Sequence, residues 1–523
     1  MNTIFGYKRV AVGFFPFIKE ERRFKMKANL LTRKWLLVFA IVFLGVMEAR
    51  ADVQLTDDFS VTGLLRQELS VHTGEKNPNN SKTQVDRNTI NLSRTFFHTE
   101  WTYKPNDAFK LFAKVKLISD QTEAMDSDSK LSDYNAFPLA TPRYGGYLRA
   151  TNDNKFDAEM SELYADVGFG NLWLRLGKQQ IVWGEMIAAR ILDQINPLDL
   201  SWHLQFEPEE FENIRVPQWS VRARYEVAQG AVPFMNDLYL EGFVNPGDIS
   251  PTILPVYGSP FNPKPPAAGP PAPQYVTREI DRRGDMEYGF RIGGRVGQVA
   301  GTLNYFSLYS DSGYSEKTGT LKAAPPPPTI YSADLKYLRT DLYGASLNYA
   351  FPSPINIVVT YEGIYSPDEP YYVAASPTPL IRYNHALKHA IQFSRSTFVL
   401  PQPISAMSIQ LQYSQTRVWD EGKIKSTPAP YIPAMNNSID NTQNTIALVL
   451  GQNLWHNNIN LSLKLIYDLD DAHYIAPGFK YVYGNHWIFD IYGTILGGAE
   501  VRTNRFGSMS WAEEVFSRVT YQF

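Results

Sequence analysis

Apolar and polar positions alternate with a period of two along nearly the whole chain, and helical periodicity is scarce. In Phe109–Leu117, the residues Phe109, Leu111, Ala113, Val115 and Leu117 make one apolar face, and Lys110, Lys114 and Lys116 lie on the other. Successive side chains of a strand point to opposite faces, so this segment separates an apolar phase from a wet one. Leu172, Leu174 and Leu176 oppose Trp173 and Arg175 in the same way, and Ile459–Tyr467 repeats the pattern. Aromatic rings gather near the strand ends: Trp101 and Tyr103, Tyr305 and Tyr309, Tyr343 and Tyr349, Tyr361 and Tyr365, Tyr481 and Tyr483. Amphipathic rings at such positions suit a membrane interface.

The connections between strands alternate in length. Short ones at Lys104–Asp107, Gly168–Asn171, Gly297-Gln298, Phe351–Pro354, Trp455–Asn458 and Gly484-Asn485 interleave with longer ones. The longer ones include Ser119–Asp157, Gly184–Val216, Asn245–Asp285, Ser310–Ala333, Ser366–Arg382, Val418–Asn441 and Asp468–Pro477. Transmembrane barrels show this alternation because one end carries tight turns and the other carries loops. The pattern predicts an all-β fold, a transmembrane antiparallel β-barrel of about 18 strands, or sixteen where short segments merge. The first strand is Phe59–His72 and the last is Ala512–Phe523. Prolines crowd the long connections, nine of them in Pro251–Pro273 and a run at Pro325–Pro328. Proline cannot donate to a ladder, so these stretches are expected to be loops.

Composition sharpens this picture. The 523 residues include no cysteine, which removes disulfides, thiol catalysis, thiolate metal centres and covalent haem. No apolar run reaches the ~18 residues of a membrane-spanning helix. Trp35–Met47 is apolar but short, follows Lys27, Arg33 and Lys34, and precedes Ala49-Arg50-Ala51. This reads as a signal peptide over 26–51 with Ala49 and Ala51 at the cleavage subsites. Residues 1–25 then form an upstream extension, with Met26 as initiator and 52–523 as the barrel. Residues 1–51 hold ten basic and three acidic side chains, which leaves 40 basic and 50 acidic residues and a net charge of −10. An exported acidic chain is a poor nucleic-acid binder, so no nucleic-acid partner is expected.

One segment departs from the pattern. Leu174–Trp202 reads LRLGKQQIVWGEMIAARILDQINPLDLSW. It starts as a strand through Trp183-Gly184, and the spacing of Ile187, Ile191 and Leu192 then suits a helical turn or two. The stretch is too apolar to stand in water. It is therefore expected to fold into the barrel and narrow it, with Glu185, Arg190, Asp193, Asn196 and Asp199 edging the constriction. Packing on the barrel rim is the alternative.

The spacing Gly177-Lys178-Gln179-x-x-x-Trp183-Gly184, followed by Ile195-Asn196-Pro197-Leu198-Asp199-Leu200, resembles a large family of porin-like outer-membrane proteins of unknown function. It is similar, more distantly, to alginate-export and phosphate-selective porin barrels, where arginine is commoner than Lys178. The terminal Tyr521-x-Phe523 resembles the signal that barrel-assembly machinery reads. The resemblance implies a channel or exporter in the outer membrane, with membrane lipid, assembly machinery and a small-molecule solute as partners.

No constellation for catalysis stands out: there is no H-E-x-x-H, G-x-S-x-G or Walker loop. His385 and His389 are about 13 Å apart along a strand, too far for one metal, and read as solvated or lumen-lining. Asp120, Asp126 and Asp128 read as a solvated acidic loop. The chain is thus expected to be no enzyme and to carry no cofactor or metal. Selectivity would rest on inward charges: Lys110, Lys114, Lys116, Arg175, Lys178, Arg222, Arg224, Arg291 and Arg295 on one side, and Glu159, Glu226, Glu241, Glu287, Glu362 and Asp490 on the other. The basic set makes either an anion-attracting ladder or a neutralised network in which Arg222 and Arg224 pair with Glu226 or neighbouring acids. The leading function is a channel for small polar or anionic solutes. The alternatives are a transporter of hydrophobic molecules with periplasmic partners, or a sheath around a partner cytochrome.

Overall fold

The computed structural model describes residues 53–74, 88, 90–122, 149–152, 156–200, 211–247, 251–253, 274–279, 286–311, 314–322, 330–373, 380–399, 405–419, 431–432, 437–438, 442–469, 471–498, 506 and 512–523. The expected extension and signal peptide, with Ala49 and Ala51, lie outside these residues, as do Asp126 and Asp128.

Eighteen strands close into one antiparallel cylinder. They are β1 Phe59–His72, β2 Ile90–Asn106, β3 Phe109–Asp120, β4 Phe156–Phe169, β5 Leu172–Gln179, β6 Gln218–Glu226, β7 Asn236–Asn245, β8 Glu287–Val296 and β9 Val299–Tyr309. The circuit continues with β10 Arg339–Ala350, β11 Val358–Val373, β12 Leu380–Thr397, β13 Met407–Val418, β14 Thr442–Leu454, β15 Ile459–Asp468, β16 Ala472–Tyr483, β17 Trp487–Gly498 and β18 Glu514–Gln522. Each pairs with the next. β18 pairs back onto β1, with Leu64 opposite Gln522 and His72 opposite Glu514. The connections after β2, β4, β6, β8, β10, β14 and β16 lie at one end of the cylinder, and residues 469–471 make a short turn at the other.

Register fixes which side chains face out. Leu303 and Leu347 stand 65% and 52% exposed on the outer wall, joined there by Leu111, Leu411, Leu461, Ile491 and Val519. Rings border this apolar band, with Phe59 against Trp101 and Trp487 against Tyr521. The alternate positions face the bore. There Lys114, Lys116, Glu241, Glu362, Gln392, Gln412 and Arg518 are buried.

Several expectations need correction. Ser366–Arg382 and Asp468–Pro477 are largely strand: β11 and β12 extend to Val373 and from Leu380, and β15 and β16 are joined by residues 469–471. Pro477 is paired on its β15 side, opposite Leu463, but falls in a gap of the ladder to β17 between Ile475 and Gly478, where no N–H is required. His385 and His389 do not line the bore. They share the outer face of Ile391 and Phe393, where His385 Nδ1 meets the Tyr365 hydroxyl at 2.8 Å and His389 Nε2 meets Gln415 Oε1 at 3.2 Å. The connection read as a loop over Ser310–Ala333 contains strands Tyr314–Lys322 and Ile330–Lys336, which form a three-stranded sheet with Gln274–Glu279.

Candidate functional site

The chain leaves the wall after β5, four residues earlier than the alternation suggests. Gly177 has φ +132°, and a Cβ there would stand 2.2 Å from the Leu163 carbonyl oxygen, so only glycine fits the break. Gln179, fully buried, ties the exit point down by donating to the Arg175 and Ser220 carbonyls at 3.3 and 3.2 Å. Lys178 closes the adjacent edge of β4: its Nζ lies 2.9 Å from Glu159 Oε1 and donates to the Met160 carbonyl at 3.1 Å. The described residues 180–200 and 211–217 form a strap inside the cylinder.

The strap meets the wall on many sides. Ile181, Trp183, Ile191, Leu192 and Ile195 pack in one cluster with Phe243 of β7, Phe306 and Leu308 of β9, Leu342 of β10, Ile364 of β11 and Ala390 of β12. Ala188 packs against a second cluster drawn from β14 to β17. Leu198 and Leu200 join Leu92 of β2 and Phe516 of β18. On its return the strap forms one helical turn, α1 (Phe211–Ile214), against β3. There Lys114 Nζ lies 3.2 Å from Glu212 Oε1 and 2.9 Å from Glu100 Oε1, and Lys116 Nζ donates to the Asn213 carbonyl at 3.1 Å.

The expected helical turns around Met186–Leu192 are absent. The backbone donors that a helix would satisfy internally are taken by side chains of the wall. Glu362 accepts from the N–H groups of Glu185 and Leu192. Gln412 Oε1 accepts from Ile187 and Ala188, each at 3.1 Å. Asn348 donates to the Glu185 carboxylate at 2.8 Å, and Trp183 Nε1 donates to Glu241 Oε1 at 2.9 Å. Backbone groups removed from water need a partner, and here the barrel supplies it.

Several residues expected to edge an opening instead hold the strap together. Asn196 is fully buried; its Oδ1 accepts from Ile181 N at 2.8 Å and its Nδ2 donates to the Val216 carbonyl at 3.0 Å, joining the two arms. The Pro197 carbonyl accepts from Val216 N at 2.8 Å. Asp193 lies 3.1 Å from Arg190 and 2.8 Å from Arg215, Arg190 also donates to the Asn196 carbonyl, and Gly184 packs on the Asp193 backbone. Asp199 N donates to the Ile214 carbonyl at 2.6 Å. Glu185 alone of this set is exposed. Asn196→Ala leaves the buried Ile181 N–H without its partner and the Val216 carbonyl with only the Gln218 amide at 3.3 Å, at a cost of about 1–3 kcal/mol. We expect it to loosen the strap without unfolding the barrel, read as faster amide exchange at Ile181 and Val216 with unchanged heat-modifiable gel mobility.

Below the strap, on the side of the tight turns, guanidinium groups and rings alternate along β4–β8. Arg175 pairs with Asp166 at 2.6 Å, with Tyr164 and Trp173 at 3.8 and 5.1 Å from its carbon. Arg222 reaches Glu241 at 2.7 Å and lies 5.2 Å from Trp173. Arg291 meets the same carboxylate at 2.8 Å, with Trp183 at 4.9 Å and Tyr239 at 5.4 Å. Arg224 pairs with Glu226 at 2.6 Å, stands 3.9 Å from Glu241 and lies over Tyr239. Each arginine therefore faces an acid, but three share Glu241, so four cations stand against three anions. Lys110 lies beside Phe112, and Arg295, half exposed at the mouth, pairs with Asp237 at 3.0 Å. Elsewhere on the wall, Glu287 accepts from Asn245 and Asp490 faces Arg518 at 3.4 Å.

Phe243, Phe306, Asn348, Gln392 and Gln412 were not foreseen as site residues, and parity was the single signal available for them. Among the described residues, no group of His, Asp or Glu could hold a metal ion.

None of the curated proteins matches the chain. Solved structures similar to it include OccAB3 of Acinetobacter baumannii, at 10% identity over 90% of this chain and 100% of that one, with a TM-score of 0.48. OmpF of Salmonella typhi, in complex with daunomycin, is similar at 8% identity over 90% and 100%, with a TM-score of 0.41. The outer-membrane channel DcaP of Acinetobacter baumannii is similar at 11% identity over 89% and 97%, with a TM-score of 0.37. The model of a family described as a protein of unknown function, DUF1302, matches residues 48–424, which take in the first thirteen barrel strands and the whole strap. The chain belongs to the DUF1302 family.

Proposed function

We propose that the chain is an outer-membrane channel for small polar solutes, anions included, whose conductance is set by the strap. The observation that carries this reading is a closed cylinder with an apolar outer wall and a polar bore, crossed by a segment of its own chain. An exposed apolar band this continuous belongs against lipid, and eighteen strands enclose an aqueous channel unless something fills it. The strap fills much of it, held at its far side by hydrogen bonds and alanine-sized contacts. That combination suits a restricted pore. A strap touching the wall on so many sides counts against a sheath around a cytochrome. The pairing of Arg222, Arg224 and Arg291 with acids favours weak selection by sign over a bare cationic ladder.

The test is reconstitution of the purified full-length barrel in planar bilayers under a KCl gradient. Small step currents with a reversal potential close to zero are expected. Recovery of the processed chain in the soluble fraction without detergent, or the absence of step currents from both the native chain and a strap-replaced variant, would overturn the reading.

A further inference from the structure

We infer that the arginine–aromatic wall below the strap is a binding subsite for planar aromatic monocarboxylates. This rests on the channel reading and names the solute class it would favour. Glu241 already shows how the wall seats a carboxylate. Its Oε1 accepts from Arg222 and from the Trp183 indole, and its Oε2 accepts from Arg291 through Nε and Nη2 at 3.1 and 2.8 Å. Arg175 likewise turns Nε and Nη2 toward Asp166, at 2.6 and 2.9 Å. The Nη1 edges of Arg175, Arg222 and Arg291 are the ones a solute would meet, since Arg224 Nη1 already stands 3.9 Å from Glu241. With four guanidinium groups against three carboxylates, one further negative charge completes the balance.

The rings decide the shape of the ligand. Trp173 lies between Arg175 and Arg222, and Tyr239 lies between Arg224 and Arg291. A guanidinium is flat and weakly hydrated, and it stacks on π-faces as readily as it pairs with an anion. A flat arene bearing one carboxylate can continue that alternation, its charge on an arginine edge and its ring on a neighbouring plane. A saturated ring of equal size has the charge but no face to stack. The side-chain exposure of Arg295, Arg224 and Arg222 falls from 49% to 34% to 15%, so the track leads from the turn-side mouth toward the strap.

The probes are benzoate and cyclohexanecarboxylate, matched in charge and nearly in size. Saturation-transfer NMR on the detergent-solubilised full chain reads binding without requiring conduction, and bi-ionic reversal potentials read permeation. A preference for benzoate of about threefold is expected in binding, the scale of one cation–π contact. Trp173→Leu should abolish the preference while leaving gel mobility unchanged, and Arg222→Gln should weaken binding of both probes. Equal binding of the two probes, or a preference that survives Trp173→Leu, overturns the subsite. Benzoate binding to a chain that passes no current would leave the subsite standing and sink the channel reading; chloride current without benzoate preference would do the reverse.

Discussion

Replacing residues 184–216 with a short Gly-Ser linker is expected to raise single-channel conductance roughly tenfold, since an eighteen-stranded cylinder otherwise holds a wide aqueous lumen. The expectation follows from where the strap lies. Its apolar residues join clusters containing Phe243 and Phe306 on one side, Ala447 and Tyr474 on another, and Leu92 and Phe516 on a third. The lesion removes that material without cutting the wall, because β5 ends at Gln179 and β6 begins at Gln218. Wild type and variant measured side by side at one salt concentration decide it. Unchanged current, with the variant shown to be folded by its gel mobility, would mean that ions pass by a route the strap does not control.

The second large effect belongs to the seam. Gly63 N and O bond Phe523 O and N at 2.8 and 2.9 Å, the last bonds of the circuit. A Cβ at Gly63 would lie 2.5 Å from Phe523 Cζ and 2.7 Å from the His98 carbonyl oxygen. The terminal ring, stacked on Phe97 at 6.1 Å, thus occupies the space a larger residue 63 would need. Overpacking of this kind costs about 1–3 kcal/mol or more, enough to cut the folded fraction of a marginal barrel roughly tenfold. Gly63→Leu should therefore lower the heat-modifiable band by that factor. Gly493→Ala, whose nearest contact would be at 3.9 Å, serves as the neutral glycine control. Equal yields from both variants would refute the seam argument.

Much of the cylinder was legible because its outer wall must be apolar over a fixed height. That requirement imposes strict alternation, and β1 emerges as Phe59–His72 with β18 ending at Gln522. Beyond the apolar band nothing enforces the period, so the upper parts of β11, β12, β15 and β16 looked like loop. At the root of the strap and within it, the residues Gly177, Lys178, Gln179, Trp183, Gly184, Asn196 and Pro197 could be singled out, because their chemistry is unusual for a connection. Their partners could not. An inward Glu or Gln on a barrel strand reads the same in sequence whether it meets water or an N–H. Glu241 and Glu362 were therefore visible only as inward charges, and Gln412 not at all. The helical spacing of Ile187, Ile191 and Leu192 misled for the same reason: the wall outbids the i−4 carbonyl.

The strap is continuous with two adjacent staves at both of its roots, Gln179 and Pro217. A detachable stopper could be pulled free; this one can only tilt about that pair, like a flap sewn along one edge. Its far margin is the Glu185–Ala188 bend, which is held by Glu362 and Gln412. Ala188 at that margin also packs on the cluster drawn from β14 to β17, so a passage would open there only as the flap lifts, as a slit beside the bend instead of a round hole. Tyr474, in the cluster under Ala188, and Lys464 beside its ring would border that slit.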